Sequence, residues 1–230
     1  MRSSLRKMLL CAAIGFSPVA ASLVATFVAP LAAMAFPKPS IYPISWQLKF
    51  EHSGPKRIVV TTPGTNIPRA YWYMTFTVTN LSEAEQSFLP VFEMVTSEGT
   101  VIRSDKDVPE SVFTAVKKRE RRKSLEPLEK ITGRLLIGDD QARDGVAIWP
   151  ESSPRMGTFD IFVGGLCGEA VFMKDGEEIQ IKDWTKTSDE DRKKLTTLRK
   201  TLDLTYQIPG DEIKPEEDVV LSKGEEWLMR

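Results

Sequence analysis

The side chains that most often activate a nucleophile or hold a transition metal are scarce in this sequence. His52 is the single histidine, in Glu51-His52-Ser53-Gly54-Pro55, which reads as a strand-end turn with the imidazole in water. Histidine-rich metal sites and most two-histidine sites are therefore excluded. Cys167 lies in Gly164-Gly165-Leu166-Cys167-Gly168-Glu169. A nucleophile elbow needs glycine two places after the nucleophile, where this chain has Glu169, so the pattern fails. Cys167 and His52 could still meet in space as a dyad. The commoner role of a lone cysteine is that of a small buried hydrophobe, and the flanking glycines suit a bend or bulge at a strand end.

Carboxylates are the next candidates. Asp139, Asp140 and Asp144 put three hard-oxygen ligands within six positions, as a calcium loop requires, although the spacing is not that of an EF-hand. A polar connection between two strands has the same composition. Asp189-Glu190-Asp191 suits the start of a helix, and Glu216-Glu217-Asp218 a solvated tail. No cofactor motif is present, and a carboxylate-based hydrolase ranks last among the readings.

The sharpest charge feature is Lys117-Lys118-Arg119-Glu120-Arg121-Arg122-Lys123, with six cations in seven positions. One reading is a solvated helix end, where the macrodipole favours cations. The other is a binding patch for a phospholipid headgroup, an anionic polysaccharide or an acidic protein partner. No aromatic residue interrupts the run, so single-stranded nucleic acid is not expected there. Tyr71 and Tyr73 share one face of a strand and could form an exposed aromatic platform for a sugar, or equally lie beneath a helix. Trp46 and Trp72 fall on faces that read as core.

The elements that must position these residues are mostly strands. Trp46, Leu48 and Phe50 alternate with polar residues, and Arg57–Thr62 is a β-branched run. From Ala70 to Thr79, Trp72, Met74, Phe76 and Val78 fall on one side of a strand. Phe88–Thr96 and Thr100–Arg103 read as a hairpin with a three-residue loop, Pro90 marking an edge or bulge. Asp107–Leu125 changes to a helical period, with Asp107 as the cap and Val112, Phe113 and Val116 as the apolar face. Strands are expected again at Lys130–Ile137, Gly145–Trp149, Gly157–Val163, Ala170–Met173, Glu178–Trp184 and Leu202–Ile208, with Lys174-Asp175-Gly176-Glu177 as a hairpin turn between Ala170–Met173 and Glu178–Trp184. Asn80-Leu81-Ser82 matches a glycosylation sequon, with chance as the default explanation.

The beginning of the chain is different. Arg2, Arg6 and Lys7 precede an apolar run from Met8 to Pro30, and Ala33-Met34-Ala35 has the small residues that a signal peptidase reads. The pattern predicts a signal peptide over 1–35, a β-sandwich domain over 36–210 and an acidic C-terminal tail over 211–230, with Trp227-Leu228-Met229 as a docking patch. An uncleaved anchor is the alternative, because the run is long enough nearly to span a bilayer. Cleavage leaves Cys167 as the single cysteine, so no intramolecular disulfide is expected. The balance of 31 basic and 32 acidic residues gives no reason to expect nucleic acid as a partner.

Tyr73–Asn80, Asp144–Pro150 and Phe159–Gly165, in that order, resemble the Ig-like domains of uncharacterised exported bacterial proteins. The resemblance covers about residues 45–170. It implies an antiparallel immunoglobulin-like β-sandwich with one inserted helix, in the periplasm or outside the cell, and carries no catalytic motif. The expectation is a non-enzymatic interaction or envelope-structural module, with an envelope protein or anionic polymer as its partner. The alternative is a module that binds an anionic glycan or lipid headgroup through the basic helix end.

Overall fold

The two-faced strand at residues 70–79 organises the domain. A computed structural model describes residues 36–62, 66–152, 156–180, 188–209 and 220–230; the leader expected over 1–35 lies outside them. The strand β3 (Pro68–Thr79) is buried on both sides along most of its length, as a central strand must be. β1 (Lys49–His52) and β2 (Lys56–Thr61) pair with one edge of β3, and β9 (Arg143–Pro150) pairs with the other. β7 (Glu126–Pro127) runs parallel to β9 and completes a five-stranded sheet.

A larger sheet is built on β13 (Thr196–Gln207). β10 (Thr158–Gly164) and β11 (Ala170–Lys174) share one edge of it, followed outward by β5 (Val91–Thr96) with β6 (Val101–Arg103), and by β12 (Glu177–Ile179). β14 (Leu221–Met229) pairs with the other edge of β13. The register of that pair shifts between Thr205 and Tyr206, which oppose Gly224 and Ser222 and leave Lys223 as an extra residue. A third, two-stranded sheet joins β4 (Gln86–Phe88) and β8 (Gly133–Leu135).

The main core lies between the two large sheets. Trp72, Met74 and Phe76 of β3 and Trp149 of β9 share one cluster with Phe92 of β5, Phe159 of β10 and Leu204 of β13. Ring centroids stand 4.9 Å apart for Phe76 and Phe92 and 5.9 Å for Trp72 and Phe159. Each such aromatic contributes about 1.5–3 kcal/mol on burial, so this layer dominates the fold energetically. A second apolar layer covers the other side of the five-stranded sheet. There Tyr71, Tyr73, Val146 and Ile148 meet Val112 and Val116 of α1 (Glu110–Glu120). α2 (Leu128–Ile131) also lies on this sheet, and α3 (Asp189–Lys193) buries no residue. Among the described residues no helix covers the outer face of the seven-stranded sheet.

Several expectations hold. The hairpin at Ser97-Glu98-Gly99 forms with Gly99 at φ 78°, and the turn at Asp175-Gly176 has both residues at positive φ, as a two-residue hairpin loop requires. Others are corrected. The run Phe88–Thr96 is two strands, because Leu89-Pro90 breaks the ladder and sends β4 and β5 into different sheets. The helix starts at Glu110 with Pro109 at its cap, while Asp107 stands outside at φ 59° and caps nothing. Lys130–Ile137 is mostly not strand: α2 occupies its beginning, only Gly133–Leu135 forms a strand, and Ile137 makes an isolated bridge to Asn80. Residues 221–229 are a strand and not a tail; residues 210–219 lie outside the described residues. Residues 181–187 of the run Glu178–Trp184 and its continuation also lie outside them. Asn80 is 1% exposed and spends its amide on the Ala84 and Leu135 carbonyls, so the folded protein offers no glycan acceptor there.

Candidate functional site

The basic run divides into two sets. Lys117, Lys118 and Arg119 form the last turn of α1, Arg121 ends it in a left-handed conformation at φ 53°, and Arg122 and Lys123 follow outside. Lys117 Nζ donates to the Leu125 carbonyl at 2.9 Å and lies over the Phe113 ring. Arg119 donates to the Arg57 carbonyl at 2.6 Å, satisfying an acceptor on the outer strand β2, and lies over the Tyr73 ring. Arg122 pairs with Asp144 at 2.9 Å. Lys118, Arg121 and Lys123 are exposed and have no partner among the described residues. Three of the six candidates thus serve the fold, and three are available to an anion.

Tyr71 and Tyr73 form no exposed platform. They are 2% and 0% exposed, because α1 lies over them. Tyr73 Oη donates to Glu120 at 2.7 Å, and Lys56 donates to the same carboxylate at 2.9 Å. Burial would raise the Glu120 carboxyl, but the hydrogen bonds from Lys56 and Tyr73 and the charges of Lys56 and Arg119 outweigh it and hold it below the ordinary range. Burial foremost, then the Glu120 bond, raises the Tyr73 phenol.

The other sequence candidates do not converge. His52 is not solvated: its side chain is 13% exposed, stacks on Phe50, and has Nε2 3.2 Å from Glu225 Oε1 and Nδ1 3.4 Å from the Tyr206 hydroxyl. Cys167 bridges to Gln47, five residues back along the chain from His52, which is about 16 Å at the rise of a strand. The dyad is therefore not formed. Asp144 accepts from Thr77 at 2.7 Å and from Ser124 and Arg122, whereas Asp139 and Asp140 sit in a separate 3-10 turn, Asp139–Gln141. Among the described residues no three histidine, cysteine or acidic side chains are gathered as a metal site.

The structure draws attention instead to two concavities. The larger is a groove of about 530 Å³ on the outer face of the seven-stranded sheet. Trp46, Leu89, Val91 and Phe162 give it apolar walls, Cys167 closes one side, and Ser87 and Thr201 bring hydroxyls. Arg199 and Arg230 bring charge; their backbones pair with each other at 2.7 and 3.0 Å. The Arg230 guanidinium lies 4.1 Å from the Phe162 ring centroid and pairs with Glu93 at 2.8 Å. The exposed Arg199 side chain has no partner among the described residues. Gly165, at φ 85°, passes so close to the Leu89 carbonyl that a Cβ would collide with it, which lets β10 end at the groove rim. Beside the groove, Asp203 is 8% exposed, and burial together with the charges of Asp160 and Glu226 pushes its carboxyl up to about 6.

The second is a cavity of about 440 Å³ near the start of α1, lined by Val108, Phe113, Leu128, Ile148, Asp105 and Glu129 among others. Asp105 stands at φ 60°, and its Oδ2 has no hydrogen-bond partner. Burial foremost, then the Glu129 charge, push its carboxyl up to about 7 against the opposing Ser104 bond. Such a group can exchange a proton with a ligand near neutrality. The lining has no hydroxyl, thiol or imidazole to act as a nucleophile.

Trp46, Phe162, Arg199 and Arg230 are far apart in sequence, so no local motif announces the groove. Period two in β13 does place Thr201, Asp203 and Thr205 opposite the core face, and that was the one legible sign of this surface. Fold and concavities define a β protein with two large sheets, one outer face closed by α1 and the other grooved. No known family, curated protein or solved structure matches the chain.

Proposed function

We propose that this chain is an exported, non-enzymatic interaction module of immunoglobulin-like sandwich type, which binds its partner in the groove on the uncovered face of the larger sheet. The observation that carries the reading is the asymmetry of the two outer faces. α1 seals one over Tyr71 and Tyr73, while the other presents apolar walls, two arginines and two hydroxyls in one concavity. Its volume is within the ordinary range for ligand sites, and sparse polar groups on apolar walls are their usual chemistry. The partner is an envelope protein or anionic polymer in the periplasm or outside the cell, whose anionic group meets Arg199.

The test is capture from envelope extract by protein expressed with its own leader, comparing wild type with Leu89→Glu and Arg199→Ala. Leu89 is 61% exposed and the Arg199 side chain has no partner among the described residues, so neither change threatens the fold. One partner lost with both variants supports the reading. A partner retained by both overturns it.

The basic helix end supports a second reading, anion binding through Lys118, Arg121 and Lys123, because these three exposed cations have no partner among the described residues. Binding of this kind falls with added salt and is indifferent to the groove variants.

A further inference from the structure

Residues 36–44 carry an unusual surface. Phe36, Ile41, Tyr42 and Ile44 are 75%, 92%, 81% and 72% exposed, four large apolar side chains within nine residues. Single exposed hydrophobics are ordinary on a soluble protein, but such a concentration marks an interaction surface. The segment is nevertheless tied to the domain. Ser40 N–H donates to Glu169 Oε1 at 2.7 Å, and Lys200 Nζ lies 3.4 Å from the Ser40 carbonyl. Glu169 and Lys200 are themselves a buried pair, with side chains 3% and 6% exposed. Further on, Leu48 N–H donates to the Leu166 carbonyl and Gly168 N–H to the Trp46 carbonyl. The backbone is therefore held at two places while the apolar side chains face water.

We infer that residues 36–44 are a lipid-docking arm, whose Phe36, Ile41, Tyr42 and Ile44 enter the interfacial region of a bilayer while Ser40 stays clamped to the domain. Two features favour lipid over another occupant. Residues 36–46 contain no acidic side chain, and Lys38 can reach the headgroups on its long stem. Pro37, Pro39 and Pro43 remove three backbone donors that would otherwise be costly to take out of water. Phenylalanine, tyrosine and isoleucine are residues by which interfacial segments hold to a membrane. The inference shares with the proposed function the premise of export, and the following assay does not use the groove, so the two fail separately.

Protein expressed with its own leader is mixed with neutral phosphatidylcholine vesicles and floated. In Phe36→Ser/Ile41→Ser/Tyr42→Ser/Ile44→Ser the vesicle-bound fraction should fall at least about tenfold. A retained leader would mask that loss, so a second measurement reads the arm directly. A polarity-sensitive dye on Ile41→Cys, in a Cys11→Ser/Cys167→Ser background, should shift to the blue on vesicles, whereas the same dye on Lys223→Cys should not. An unshifted dye at position 41 overturns the inference whatever the flotation result. A shift that needs no lipid, accompanied by dimers in sedimentation, also overturns it and assigns the arm to a second copy of this chain.

Discussion

Replacing Asp105 by Asn should make the protein more stable above neutrality and leave it unchanged in acid. The carboxyl sits near 7 in the folded protein, against about 3.9 in an unfolded chain, mainly because burial opposes its charge. The folded state thus binds this proton more tightly than the unfolded state. The stability associated with that proton is complete below about pH 4, declines as pH rises, and is gone above about pH 7. At about 1.4 kcal/mol per pH unit, the native state carries a penalty of about 4 kcal/mol in alkali. Asparagine has nearly the same shape, cannot ionise and tolerates the left-handed backbone at φ 60°. Guanidinium unfolding of wild type and Asp105→Asn from pH 4 to pH 8 measures the gap as a midpoint shift at constant slope. The gap should open to a few kcal/mol by pH 8 and close near pH 4. Glu129→Gln in both backgrounds should narrow it, since a like charge beside Asp105 is removed. A gap of the same size at every pH, or one favouring wild type in alkali, would refute the reasoning and mean that water solvates the carboxylate.

Four other variants test separate parts of the structure. Glu169→Gln leaves the Lys200 ammonium buried without its counter-charge and should cost about 3–5 kcal/mol in a denaturant melt, with faster hydrogen exchange at the Ser40 amide. Gly165→Ala forces a Cβ against the Leu89 carbonyl at a left-handed position, and should cost about 1–3 kcal/mol and weaken any groove ligand measured by titration. Lys118→Ser/Arg121→Ser/Lys123→Ser should stay within about 0.5 kcal/mol of wild type in thermal unfolding, while Glu120→Ala, which strands Tyr73 Oη and Lys56, should lose about 1–3 kcal/mol.

Period two made β3 legible and put Trp72, Met74 and Phe76 in the core, but it read the strand as half-buried and left the Tyr71/Tyr73 face open, and α1 buries that face. Turn chemistry placed Gly99 and Asp175-Gly176 correctly, because positive φ is a local requirement. What escaped the sequence was set by distant contacts. His52 looked like a solvated turn until β13 and β14 brought Tyr206 and Glu225 against it. β14 looked like an acidic tail because an edge strand buries little, and only its last residues, including Met229, are withdrawn from water. The cations at 117–123 read as one patch, but Lys117, Arg119 and Arg122 find the Leu125 carbonyl, the Arg57 carbonyl and Asp144, groups that no helical spacing could anticipate. The groove follows the same rule, since its walls come from β5, β10, β13 and the approach to β1.

The unmatched Lys223 on β14 also governs how the molecule behaves in a crowd. A smooth outer strand would present an unbroken row of amides and carbonyls, on which a neighbour's margin could stack and then be copied indefinitely. Here the ladder is offset by one residue at Thr205 and Tyr206, and an ammonium stands at the offset. A second strand laid along this margin would lose register there and have to dehydrate a charge. This margin should therefore not serve as a template for stacked copies, and its protection is concentrated in one side chain at one irregularity of the sheet.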